Sequence, residues 1–172
     1  YHAAHISTAA AVEAIRRAKQ EGLRVTCDTA PPYFSLNENE IGDYRTFAKL
    51  SPPLRSETDR RAIAAAEAEG IVDCIASDHA PHDVESKRVP FAQAAAGIIG
   101  LETLLPVSLE LYHKGSVSLL NLLKTLTIRP AEILGLPQGR LAKGAPADLV
   151  LIDLDRPHRI DVAKFRSKSK NS

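Results

Sequence analysis

The sequence has almost no net charge. Its 22 Lys and Arg stand against 21 Asp and Glu, a formal charge of +1, so overall charge argues for neither nucleic acid nor an anionic membrane as partner. No apolar run is long enough to span a bilayer, and the first residues lack the basic-then-apolar order of a signal peptide. Cysteine is scarce: Cys27 and Cys74 each sit inside an apolar strand-like run, with no Cys-x-x-Cys pair. That excludes a disulfide framework and predicts free buried thiols in a reducing cytosol. A Gly-rich phosphate loop and a Gly-x-Ser-x-Gly elbow are also missing. No Met precedes Tyr1, which falls within a strand-like run, so the chain reads as a piece of a longer protein.

The composition that is present, 44% apolar and 25% charged over 172 residues, is ordinary for a globular protein with a sizeable core. Ser7 or Thr8 predicts the cap of a helix over 9–21, with Val12, Ile15 and Ala18 on one face and Gly22 as its stop. Residues 23–28 predict a strand. From 29 to 55 the chain has no period and carries Pro31-Pro32, Gly42 and Pro52-Pro53; so long a connection is more often functional than idle. Ser56 with Asp59 resembles a capping box for a helix to 69, and 71–77 predicts the next strand. Helices follow over 101–114, 119–128 and 130–135. This alternation predicts an α/β fold with parallel strands and crossover helices, and places chemistry at the carboxyl ends of the strands, as in a (β/α) barrel or an open sheet. From Gly139 the chain is turn-rich, and 149–152 predicts a short strand. The domain expectation is a barrel portion over 1–136 and the start of a small β module over 137–172. Near the end, Lys164, Arg166, Lys168 and Lys170 read as a solvated basic tail.

The most telling residues are Asp78-His79-Ala80-Pro81-His82, directly after the predicted strand 71–77. A carboxylate at a strand end serves as a metal ligand and general acid/base, or as a helix cap or loop carboxylate; the flanking histidines favour the first. His5 ends the opening strand-like run and fits either a neutral imidazole ligand of the same ion or a buried structural histidine. His2 has the opposite strand parity from His5 and is set aside. His82 is placed to donate to a substrate carbonyl or carboxylate, or is simply exposed. His113 and His158 read as solvated, Arg55 as a loop fastened by a salt bridge, and Gly97 and Gly100 as points of close backbone approach.

In order along the chain, His5-Ile6-Ser7-Thr8, Pro52-Pro53-Leu54-Arg55-Ser56, Asp78-His79-Ala80-Pro81-His82, Gly97-Ile98-Ile99-Gly100-Leu101-Glu102, Pro130 to Leu136, Gly139-Arg140-Leu141, Gly144 to Leu149 and Phe165-Arg166-Ser167-Lys168-Ser169 resemble the C-terminal half of the dihydroorotases, within the amidohydrolase superfamily. The resemblance implies strands six to eight of a binuclear-zinc (β/α)8 barrel flanked by a small β domain. It implies interconversion of L-dihydroorotate and N-carbamoyl-L-aspartate in pyrimidine synthesis. By that resemblance His5 is the sixth-strand zinc ligand, and Asp78 is the eighth-strand ligand and proton shuttle. His82, Ser51 and the Ala96-Gly97 backbone meet the substrate. It further implies a cytoplasmic homodimer, a possible aspartate transcarbamoylase partner, and no nucleic-acid or membrane partner. Two positions depart from the pattern. Ser51 stands where Asn is common, and Pro31-Pro32-Tyr33 where Pro-His-His is. Hydantoinases share the Ser, while His82 and the Phe-Arg-Ser-Lys-Ser stretch point back to dihydroorotases. Alternatives are a hydantoinase- or allantoinase-like cyclic amidase and a non-catalytic subunit scaffolding aspartate transcarbamoylase. The first-strand His-x-His, its following Arg, the bridging carboxylate and the fifth-strand histidine have no counterparts here. The 172 residues alone are therefore expected to be inactive and to order only against their complement or another copy.

Overall fold

The computed structural model describes residues 1–172. Three short strands, β1 (His2–Ala3), β2 (Thr26–Thr29) and β3 (Cys74–Ile75), form a sheet in the order β1-β2-β3. Both pairings are parallel, His2 opposite Thr26 and Asp28 opposite Cys74, so all three strands end at one edge. Parallel neighbours need a crossover of about a dozen residues or more. Helix α1 (Ala9–Gln20) makes the first; α2 (Pro31–Ser35) and α3 (Glu57–Ala68) lie in the second. The α/β expectation holds.

The caps hold these helices in place. Thr8 Oγ1 accepts from Ala11 N, and Ser56 Oγ accepts from Asp59 N. The Ser56–Asp59 pair is half a capping box: Asp59 Oδ1 reaches across to accept from Ala9 N at 2.8 Å, joining the first turns of α1 and α3. Between sheet and helices lies one apolar core that includes Ile15, Cys27, Phe34, Ile63, Ile75 and Leu122.

Beyond β3 come α4 (Val84–Lys87), α5 (Leu104–His113), α6 (Leu119–Leu126) and α7 (Ile128–Leu134). Pro130 does not begin α7 but sits in its first turn, where a missing N–H leaves no bond unmade. The predicted strand over 149–152 is not formed. Leu149, Val150 and Leu151 are 70 to 100% exposed, with no neighbouring strand to complete a ladder. The basic cluster is solvated at Lys164, Arg166 and Lys168, but the segment that carries it is docked rather than free. Arg166 N and Ser167 N donate to the Glu102 carboxylate, Ile99 N donates to Asn171 O, and Asn171 is buried. Docking uses the backbone, Ser and Asn between the cations, groups that a charge count does not see. No helix is long and apolar enough to cross a membrane.

Candidate active site

His5 and Asp78 leave the strand edge in left-handed backbone, at φ +53° and +46°. For residues with a Cβ this conformation costs about 1–3 kcal/mol and gathers at functional sites. His5 Nε2 lies 3.7 Å from Asp78 Oδ1, and that oxygen accepts no hydrogen bond. On the other side of the ring, His5 Nδ1 lies 2.9 Å from Asp28 Oδ1, an ion-pair contact whose direction falls short of a well-aligned hydrogen bond. Asp28 Oδ1 also accepts from the His5 backbone N–H at 2.7 Å, and Oδ2 pairs with His2 Nε2 at 2.8 Å. Burial pushes the Asp28 carboxyl up, but His5 and then His2 outweigh it and hold it below its ordinary value. The same Asp28 contact raises His5 against the opposing effect of burial.

His2 therefore belongs to this cluster, contrary to the parity argument. β1 ends at Ala3, and the left-handed turn at His5 cancels the period-two alternation that would have sent the two rings to opposite faces.

Tyr33 completes the cluster. Its hydroxyl lies 3.1 Å from Asp78 Oδ2 and 3.0 Å from Pro52 O, so one proton serves two acceptors. Burial first, then the Asp78 charge, pushes the phenol well above its ordinary range and keeps it a donor. Asp28 could have been found in the sequence as the last residue of the strand predicted over 23–28, at the same edge as Asp78. Tyr33 sits in an irregular stretch and carries no such signal.

Two groups of side chains could hold a cation. The first is His5 with Asp78. Bonds of about 2.0–2.2 Å from an imidazole and a carboxylate to one ion span their separation. The carboxylate behind His5 is also the usual outer support of a metal-binding histidine, so this donor pair fits zinc. The second is His2, Asp28 and Cys74, whose ligand atoms lie within 4.8 Å of one another. It fits less well: His2 Nδ1 is already engaged with Thr26 Oγ1 and Nε2 with Asp28, and burial pushes the Cys74 thiol up to about 12.

A second cluster follows β3. His82 Nε2 bonds Ala96 O at 2.9 Å. A carbonyl only accepts, so Nε2 carries the proton and Nδ1 is the unspent ring nitrogen. Gly97 N donates to Lys49 O, which leaves Ala96 N as the unspent backbone donor of the pair. A Cβ on Gly97 would lie 2.6 Å from Ala80 Cβ, so glycine is required by space as well as by its φ of +127°. His79 fastens this loop, its Nδ1 accepting from Gly100 N at 3.1 Å. Ser51 is exposed and makes no side-chain bond to either cluster; its neighbour Pro52 supplies the carbonyl that Tyr33 meets. Arg55 forms no salt bridge and donates from Nε to Ser7 Oγ at 3.3 Å.

The amidohydrolase family matches residues 1–171. The chain is 54% identical over its whole length to a dihydroorotase of Anaplasma phagocytophilum (strain HZ), and covers 38% of that protein. It is 51% identical over 171 residues to a dihydroorotase of Desulforapulum autotrophicum, covering 99% of this chain and 40% of the relative. Among solved structures it is similar to the L-hydantoinase (dihydropyrimidinase) of Arthrobacter aurescens, with a TM-score of 0.91, 33% identity, and 96% of this chain matched to 38% of that one. A dihydropyrimidinase from Brevibacillus agri gives a TM-score of 0.79 at 28% identity, over 85% of this chain and 34% of that one. The chain thus spans about two fifths of the length of the curated relatives it matches.

Proposed function

Because the chain belongs to the amidohydrolase family, we propose that it supplies the last three βα units of a (β/α)8 barrel in a zinc-dependent dihydroorotase. Residues 137–172 then contribute to an appended β domain. The observation that carries this reading is the pair His5 Nε2 and Asp78 Oδ1, 3.7 Å apart beyond the ends of the two outer strands, with no proton donor on that carboxylate oxygen. The named relatives at about 50% identity support dihydroorotate and N-carbamoyl-aspartate as the substrate pair. The assembly is a cytoplasmic homodimer, with aspartate transcarbamoylase as a candidate partner.

Bound zinc would be held by His5 and Asp78 and by ligands outside these residues, and would polarise the ring amide carbonyl. Within this chain, Asp28 fixes the His5 ring, and Tyr33 holds one Asp78 oxygen so that the other faces the reacting centre. In the hydrolytic direction Asp78 accepts a proton from the attacking water and returns it to the ring nitrogen as the amide C–N bond breaks. Ring closure reverses both transfers. His82 Nδ1 and Ala96 N orient the ring.

The similarity to an L-hydantoinase structure and Ser51 favour a second reading, a hydantoinase-like cyclic amidase. Zinc analysis and turnover of dihydroorotate, hydantoin and allantoin by a polypeptide of the relatives' length, containing these residues, separate the two. Dihydroorotate as the preferred substrate is expected. Preference for hydantoin would move the assignment, and a zinc-free, inactive protein would leave only a scaffolding subunit. The 172 residues alone, with two ligands, are expected to show no turnover.

A further inference from the structure

Lys87 is the largest side chain with no exposed surface, and it has no carboxylate partner. Its ammonium lies among three carbonyls, Ala95 O at 2.8 Å, Gly97 O at 3.0 Å and Lys49 O at 3.3 Å. An unpaired buried cation is expensive to desolvate, and burial pushes this one down from its ordinary value. An apolar side chain would fill the space at less cost. What the ammonium adds is three donors that tie the loop at Ala95 and Gly97 to the segment at Lys49.

Asn171 meets the same loop from the other side. It is 1% exposed, and its Nδ2 donates to Ala80 O at 2.9 Å and Gly97 O at 3.1 Å. Its Oδ1 accepts from His82 N at 3.2 Å, and its backbone carbonyl accepts from Ile99 N at 3.0 Å. Gly97 O thus takes donors from two buried side chains, while His82 is held at its backbone N–H by Asn171 Oδ1 and Ser169 Oγ, both at 3.2 Å, and at its ring by Ala96 O.

We infer that Lys87 and Asn171 are positioning residues that clamp His82 and the Ala96–Gly97 backbone into one rigid platform for the substrate ring. The inference rests on the function proposed above. With Gly97 N, Gly97 O and His82 Nε2 all spent inside the clamp, the platform presents His82 Nδ1 and Ala96 N. Without the clamp, these two groups lose their fixed separation while the His5–Asp78 pair is untouched.

The test is steady-state kinetics in the longer, zinc-loaded polypeptide, comparing Asn171→Ala, Asn171→Asp and Lys87→Met with the parent. KM is expected to rise about tenfold or more in Asn171→Ala and Lys87→Met, the loss of about one charge-assisted or buried hydrogen bond. Zinc content and kcat should stay within about threefold. Asn171→Asp keeps the acceptor for His82 N but loses both donors, so its KM should also rise. A role in folding alone would lower the melting temperature and leave KM unchanged. Asn171 belongs to a different segment from Lys87, so its variants read the clamp even if Lys87→Met does not fold. The parent's own turnover of dihydroorotate, hydantoin or allantoin tests the functional reading separately. If the parent is inactive on all three, amide exchange decides: the His82 N–H should exchange about tenfold faster in Asn171→Ala combined with Ser169→Ala, which removes both of its acceptors, than in Ser169→Ala alone. Folded variants with unchanged KM, or in the inactive case unchanged His82 protection, overturn the clamp.

Discussion

Asp73 and Asp78 bracket β3, and their surroundings differ in kind. Asp73 is 5% exposed and has a fixed donor on each side: Lys19 Nζ at 2.7 Å and Cys27 N at 2.8 Å on one oxygen, Arg129 at 3.1 Å on the other. Its neighbours come from α1, β2 and α7, so the carboxylate is a joint between elements. Asp78 has a neutral phenol on one oxygen and, 3.7 Å from the other, a histidine nitrogen. It also sits on left-handed backbone, where Asp73 does not. A carboxylate whose cations are built into the chain is already neutralised and holds structure. One left open toward an imidazole can take a metal ion or a proton.

Removing each charge should produce opposite phenotypes. Asp78→Asn is expected to lower turnover of the longer polypeptide by about a thousandfold or more, the range for a lost proton-transfer group, and to reduce bound zinc, with little change in the urea midpoint. Asp73→Asn should do the reverse. Leaving Lys19 and Arg129 around a neutral side chain should cost about 3 kcal/mol in urea unfolding, with zinc per folded molecule unchanged. If Asp73→Asn instead strips the metal from folded protein, the division between joint and reactive group fails.

Asp28 sharpens the comparison, because it resembles Asp73 in burial and Asp78 in its partners. Its contacts are His5 and His2, and it would act on a bound cation through the His5 ring. Asp28→Asn is therefore expected to weaken zinc binding about 10- to 100-fold, as for other carboxylates supporting a metal-bound histidine. Equilibrium competition with a chelator measures this, and unchanged affinity would reduce Asp28 to a structural role.

What could be read in advance follows the range of the interactions. The caps at Thr8 and Ser56, the three strand positions and the strand-end placement of His5 and Asp78 are local, set by residues within a few positions of one another. The contacts that give the site its shape are not. Asp28 reaches back to His2 and His5, Tyr33 forward to Asp78, and Asn171 back across about half of the chain to Ala80 and His82. No periodicity connects such pairs. The parity rule failed at His2 because it assumes an extended strand, and the backbone at His5 is not extended. The strand expected over 149–152 had local propensity but no ladder to join, so its apolar side chains stay in solvent.

The structural side of the comparison contains its own exception. Glu67, on α3 near Asp73, is 4% exposed, and neither carboxyl oxygen has a hydrogen-bond partner. Burial, with a smaller contribution from the Asp73 charge, pushes its carboxyl up from 4.5 to about 8. The folded chain therefore keeps a proton on Glu67 that the unfolded chain releases above its ordinary value. Between those two values the native state binds more protons, so its stability must fall as pH rises, approaching roughly 1.4 kcal/mol per pH unit. Below the ordinary value this contribution is fully present, and above the raised value the loss is complete. Glu67→Gln removes the titration while keeping the shape, and its urea midpoint should stay flatter than the parent's from about pH 5 to 8. If Glu67→Gln keeps the parent's slope, another group carries the titration and Glu67 must have a donor in solution. If the slope disappears, the titrating carboxyl is Glu67, the one the fold buried without giving it a cation or a donor.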